Sequence, residues 1–440
     1  MNPSRGICAG ITVALLAFAA GCQDPAPKVA HNVLLISFDT LRADHLGTYG
    51  YERDTSPHLD ARSEDGIVFE MAIAQAASTF PSHMSLFQSR YASQVEGEAP
   101  MLAEILQRAG YRTGAFTGGG NVSAQLGFGR GFDVYREARH PARLAETLPL
   151  FESWLRATPS EPFFAFLHAY DIHHPYDPPA PFDSAFSPDY TGPITGRSTG
   201  PLLNKLRRIH QFSDFDGEVS LTDDDRQRVR ALYDGGILHA DTLFGEIAQL
   251  LDELALWERT IVVFLSDHGE EFWEHGQVLH SFTVYQELVH VPLILWIPGQ
   301  SASRVSQQVR LMDVVPTVLD VLGLKPPRTV QGRSLLPVAA GTESAPPAIS
   351  EMDYLKAWID PPHKLIVDID AQGLQRFDLS RDPGEQLDLT PEGRDASVTL
   401  YRELAQALGD SVAQPVSGSP KELPADPQLI EQLRALGYLE

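Results

Sequence analysis

Cysteine is almost missing from this chain: its 440 residues hold two, Cys8 and Cys22, both near the N-terminus. No disulfide framework can be built from them. Positive charge is scarce as well, with 34 Lys and Arg against 58 Asp and Glu and a formal net charge of −24. No basic stripe occurs anywhere, which excludes nucleic acid as a partner, because phosphate backbones are held by clustered Lys and Arg. Long apolar runs are also lacking. The stretch Ile11 to Ala20 falls well short of the ~20 residues that span a bilayer. No internal repeat is present. What is there is an ordinary globular composition, 43% hydrophobic and 21% charged, on a chain long enough for a large core and more than one domain.

The N-terminus reads as a targeting segment. Arg5 supplies the positive end, Ile11 to Ala20 the apolar part, and Ala19-Ala20-Gly21-Cys22 a small-residue cleavage site. It resembles a bacterial lipoprotein signal, with Ala19 where leucine is usual and Cys22 as the lipidated residue. On that reading residues 1–21 are removed as the signal and 22–31 form a tether containing Pro25 and Pro27. No thiol remains. The lipid then holds the protein in the cell envelope, periplasmic or outer-membrane associated, and the absence of Asp directly after Cys22 is compatible with the outer membrane.

From residue 32 onward, apolar β-rich runs alternate with helical patterns, the signature of a mostly parallel sheet flanked by helices, an α/β fold. Strands are expected at Asn32 to Phe38, Tyr111 to Phe116, Phe163 to Tyr170, Thr260 to Ser266 and Val291 to Ile297. Helices are expected at Pro100 to Ala109, Arg226 to Leu254 and Leu311 to Leu322, with Thr222 to Asp225 capping the longest. Phe182 to Asp216, rich in Pro, Gly and Ser, reads as a surface insertion. The main domain runs over 32–343. A smaller C-terminal α+β subdomain, 344–440, contains paired strands at Lys364 to Asp370 and Leu374 to Leu379, then an amphipathic helix docking through Leu429, Leu433 and Leu436.

The residues suited to chemistry fall at the carboxyl ends of the expected strands, where an open α/β sheet binds its ligands. Asp39 closes the first strand, His168 and Asp171 follow the third, and Asp267-His268 close the fourth. Two carboxylates and an imidazole suit one divalent cation, Mn²⁺, Zn²⁺, Ca²⁺ or Mg²⁺. Thr79-Phe80-Pro81-Ser82-His83 adds a hydroxyl that such a cation could activate. Asp171 is placed either to orient His173 or to join a second cation with His280. Gly118 to Gly120 read as a tight turn lining the site.

The passages Asn32 to Gly50, Thr79 to Phe87, Phe166 to Pro178, Leu265 to Gly276, Gln331 to Leu335 and Leu379 to Gln386 together resemble the sulfatase family of the alkaline phosphatase superfamily. The resemblance implies that Asp39, Asp267 and His268 bind the metal and that Thr79 occupies the nucleophile position and completes the coordination. It implies that His173 contacts the transferred group or assists the leaving group, and that His280 lies near the leaving oxygen. Three departures stand out. Thr40 replaces the second of the family's paired acids, His83 replaces the arginine after the nucleophile, and Gly118-Gly119-Gly120-Asn121 stands where a lysine-bearing motif is usual.

The nucleophile itself is the largest departure. Typical sulfatases oxidise a Cys or Ser here to formylglycine, whose hydrate attacks sulfur and then expels sulfate by collapsing to the aldehyde. Threonine cannot follow that route, so no formylglycine is expected. A phosphothreonine, by contrast, is open to hydrolysis by water at phosphorus, which favours phosphoryl over sulfuryl transfer. The expected activity is therefore metal-dependent hydrolysis of a small anionic ester, sulfate, phosphate or phosphonate, with Thr79 forming a covalent intermediate and His83 a candidate either for stabilising charge or for a hydrogen bond that fixes the Thr79 loop. The alternative is a catalytically silent member that keeps the fold and serves as a binding or scaffolding lipoprotein.

Overall fold

The strand Asn32–Phe38 is buried along its whole length, as an unbroken apolar run must be when helices cover both faces of a sheet. Leu34, Ile36 and Phe38 point into one apolar cluster, and Val33 and Leu35 into the cluster on the opposite face. Two cores therefore sandwich one sheet. The computed structural model describes residues 31–95, 97–138, 143–157, 161–211, 219–418 and 426–436. The expected signal, Cys22 and most of the tether lie outside them. No helix among the described residues is long and apolar enough to cross a membrane.

The strands are β1 Asn32–Phe38, β2 Ile67–Ile73, β3 Arg112–Thr117, β4 Val134–Glu137, β5 Phe163–Ala169, β6 Thr260–Leu265, β7 Glu271–Phe272, β8 Val278–Leu279, β9 His290–Trp296, β10 Ser303–Arg310, β11 Ala348–Met352, β12 Leu355–Asp360, β13 His363–Asp368 and β14 Gly373–Asp378. The main sheet has the order β10-β2-β9-β6-β1-β5-β3-β4. Only β9 runs against the others, pairing antiparallel with β2 and β6. With β1 at its centre, flanked in parallel by β5 and β6, the sheet delivers Asp39, His168 and Asp267 to one edge.

The five expected strands are present, each within a residue or so. Those not anticipated, β2, β4 and β10, lie toward the edges of the sheet, where polar residues interrupt the pattern; β10 begins part-exposed and ends in three buried residues. The Phe182 to Asp216 insertion is not all loop. It carries the helix Gly196–Gln211, held by the buried Leu203 and Leu206. The C-terminal sheet has four antiparallel strands, β11-β12-β13-β14, rather than one pair. Lys364 on β13 fixes it to the main body: its Nζ donates to the Val284 carbonyl at 2.7 Å and pairs with Glu385 at 2.7 Å. The final helix, Pro427–Ala435, docks through Leu429, Leu433 and Leu436, all buried. Thr222 caps the long helix Asp223–Glu253 in a reciprocal box with Asp225, the arrangement that satisfies orphan N–H groups at a helix start.

Candidate active site

Thr79 is the first residue of the helix Thr79–Gln88, preceded by extended Ser78. This helix was not among those expected from the sequence, although Ser78 is a cap-type residue and Pro81 suits a first turn. Its N-terminus presents the positive end of the helix dipole at the Thr79 hydroxyl. That hydroxyl donates to Asp39 Oδ2 at 3.0 Å and lies 3.2 Å from His268 Nε2. Asp39 follows β1, and the chain then turns sharply: Thr40 has φ 62°, strained for a β-branched residue. The Thr40 carbonyl is held by the Tyr233 hydroxyl at 2.7 Å. Thr40 therefore shapes the turn that aims Asp39.

One donor atom from each of Asp39, Asp267 and His268 lies within 4.8 Å of the other two, and all three residues are fully buried. Asp39 Oδ1 and both Asp267 carboxylate oxygens accept no hydrogen bond. His268 Nδ1 faces the Gly269 carbonyl at 2.9 Å; a carbonyl only accepts, so Nδ1 carries the proton and Nε2 offers a lone pair. Burial raises the pKa of Asp39, and burial together with the neighbouring Asp39 raises that of Asp267. Burial opposes charge on His268, but Asp267 and Asp39 outweigh it and raise its pKa. Two adjacent buried carboxylates with a donor for only one of their four oxygens are a poor arrangement unless a cation joins them, and this donor set fits a divalent one.

His83 is engaged on both sides. Its Nδ1 donates to the Thr79 carbonyl at 3.0 Å and its Nε2 accepts from the Ser37 hydroxyl at 3.0 Å. Burial pulls its pKa down to about 4. A neutral ring with both nitrogens occupied positions the start of the helix and carries no charge for a substrate. His168 Nε2 lies 3.3 Å from Asp39 Oδ2. Asp171 turns away from His173: its Oδ2 accepts from the Leu144 amide at 2.6 Å and its Oδ1 is 3.3 Å from His239. It neither orients His173 nor joins His280.

A second group of histidines adjoins the first. The ring of His280 is 4.6 Å from that of His268 and 5.0 Å from that of His173, and His173 stacks on His174 at 4.4 Å. His280 is bracketed by Leu279 at φ 69° and Ser281 at φ 77°, and its Nδ1 meets Glu270 Oε1 at 2.8 Å. Burial first, then neighbouring imidazoles, holds all three pKa values well below the ordinary one, and Arg207 of the inserted helix adds to this at His174 and His280. The glycine turn reaches the site through Tyr170. Tyr170 donates to the Gly119 carbonyl at 3.1 Å and packs against His173. Beside it Asn121 is fully buried with neither side-chain amide atom hydrogen-bonded.

A profile of the sulfatase family matches residues 31–324. The chain belongs to the sulfatase family. Arylsulfatase K of Homo sapiens is 26% identical over 387 residues, covering 76% of this chain and 71% of that protein. The multifunctional alkaline phosphatase superfamily protein PehA of Trinickia caryophylli is 28% identical over 291 residues, 58% of this chain, and the match spans only 56% of PehA. The phosphonate monoester hydrolase of Agrobacterium radiobacter superposes with a TM-score of 0.72 at 21% identity, over 87% of this chain and 96% of that one. That likeness is one of fold. The mostly parallel sheet with a small antiparallel sheet after it is the sulfatase architecture, and the family is one of sulfuric and phosphoric ester hydrolases.

Behind the site, Glu271, His275 and Glu287 form a further group. His275 pairs with Glu287 at 2.6 Å, while burial and then the charge of Glu287 push Glu271 up to about 8. In the unfolded chain a Glu titrates near ~4.3. The folded state therefore holds its proton more tightly, and stability is lost as pH rises from the unfolded value through about 8. Glu271→Gln is expected to match wild type at pH 4 and to exceed it by about 2 kcal/mol at pH 9, read by denaturant unfolding. An unchanged difference across that range would refute the assignment.

Proposed function

We propose that this sulfatase-family protein is a cation-dependent hydrolase in which Thr79 attacks an anionic ester, with phosphate or phosphonate esters preferred over sulfates. The observation that carries the reading is the placing of Thr79 Oγ at a helix N-terminus, between Asp39 Oδ2 and His268 Nε2. Asp39, Asp267 and His268 would hold the cation, which supplies positive charge against the hydroxyl and the ester oxygens. Asp39 Oδ2, already the acceptor for the Thr79 hydroxyl, is the first stop for its proton. The Thr79 Oγ–P bond forms as the bond to the leaving oxygen breaks, with His173 and His280 beside that oxygen. Water then attacks phosphorus, the new O–P bond forming as the Thr79 Oγ–P bond breaks, and the proton held by Asp39 returns to Thr79 Oγ. A lipid on Cys22 would keep this chemistry in the cell envelope.

The Asn121 amide supplies a neutral donor for a non-bridging oxygen, in the region where the family's lysine-bearing motif is absent. Asn121→Ala is expected to lower kcat by about 10- to 100-fold with little change in KM, as loss of a donor used in the transition state does. A change in stability alone would remove Asn121 from this role. For substrate class, kcat/KM on a p-nitrophenyl phosphonate or phosphate ester is expected to exceed that on p-nitrophenyl sulfate by at least about tenfold, ~1.4 kcal/mol in barrier. The reverse order would overturn the preference for phosphorus.

A further inference from the structure

His173, His174 and His280 are each buried and bring one ring nitrogen apiece within 4.8 Å of the other two. The family resemblance gives work to His173 and His280 but none to His174. Yet His174 has neither ring nitrogen hydrogen-bonded. A neutral imidazole has one donor and one acceptor, and leaving both unmet in the interior forfeits their hydration with nothing in return, so an unpartnered buried histidine needs a reason. The other two rings are held as metal ligands are held. His173 Nδ1 donates to the His174 carbonyl at 2.6 Å, which leaves its Nε2 as a lone pair. His280 Nδ1 is tied to Glu270 Oε1 at 2.8 Å, and Glu270 Oε2 accepts from Tyr176 at 2.9 Å. Carbonyl and carboxylate partners on the far nitrogen fix the tautomer and orientation of ligating histidines.

We infer that His173, His174 and His280 form a second metal site, suited to a borderline cation such as zinc, beside the cation site of Asp39, Asp267 and His268. Three imidazoles without a carboxylate among them suit a borderline cation and are poor ligands for Ca²⁺ or Mg²⁺. Three protein ligands would also leave a fourth position for a water or a substrate oxygen. The inference rests on the hydrolase reading only for its use: neutral rings offer little to an anionic ester, whereas a zinc ion at their centre faces the leaving oxygen with positive charge.

The test is zinc stoichiometry of the full chain, stripped with a chelator, reloaded with excess Zn²⁺, desalted and measured by plasma mass spectrometry. Wild type is expected to retain close to two zinc ions and His174→Gln close to one, with Asp267→Asn added to remove the other. Wild type saturating near one, or His174→Gln retaining two, would overturn the site. Anomalous scattering at the zinc edge from wild-type crystals answers the same question without any variant: a peak among the three histidines supports the site, and a peak only at Asp39, Asp267 and His268 contradicts it. An inactive protein that binds two zinc ions would sink the hydrolase reading and leave this site standing, and an active protein with one would do the opposite.

Discussion

Replacing Thr79 by alanine is expected to lower kcat by about 10⁴-fold or more, the scale seen when an attacking side chain is removed and only binding and charge stabilisation remain. The fold should survive. Thr79 sits at the first position of its helix, and the hydrogen bonds that fix that turn run from His83 Nδ1 to the Thr79 carbonyl and from the Ser82 hydroxyl to the Asp267 carbonyl. Neither needs the Thr79 hydroxyl. Thr79→Ser keeps the oxygen and is expected to stay within about tenfold of wild type, since only a methyl group is lost from a buried site. Alanine at Thr79 retaining more than a few per cent of kcat would mean that water, or another side chain, attacks the ester.

The second large effect concerns the cation. Asp267→Asn is expected to strip it and to lower kcat/KM on the order of 10³-fold or more, because the charge that activates Thr79 leaves with it. The same substitution should stabilise the metal-free protein. With no cation, burial and then Asp39 raise the Asp267 pKa, and burial raises that of Asp39. The folded state then binds more protons than the unfolded chain, and stability falls as pH rises through and above the ordinary carboxylate range. An amide in place of one carboxylate removes much of that loss. A chelator should therefore lower the melting temperature of wild type at pH 8 and leave Asp267→Asn nearly unmoved. Equal melting shifts in both proteins would place the cation elsewhere.

The central strands were legible because burial on both faces leaves an unmistakable apolar run, as in Asn32–Phe38 and Phe163–Ala169. Strand ends then offered Asp39 and Asp267-His268 as candidates, together with His168 and Asp171. Edge strands escaped because one side of them meets solvent, so β10 reads as SRVSQQVR, a pattern with no clear period. The Thr79 helix was hidden for the opposite reason: nearly all of its residues are buried, and a helix buried all round shows no polar stripe. Partners set by tertiary approach could not be read at all. Nothing near His280 in sequence signals that Leu279 and Ser281 bend the backbone around it, nor that Asp171 would leave His173 for Leu144 and His239. His83 is the instructive case. Its position in the motif left it between a charge for the substrate and a brace for the Thr79 loop, and its two hydrogen bonds favour the brace.

The proposed chemistry requires a covalent bond to Thr79. Mixing the enzyme with a good phosphonate or phosphate ester, quenching in acid within milliseconds, and mapping the digest by mass spectrometry tests it directly. The predicted result is a phosphoryl or phosphonyl group on the peptide containing Thr79, localised to that residue, forming with the burst of leaving group and absent from Thr79→Ala. A burst with Thr79 unmodified, or with the group on a histidine, would contradict it.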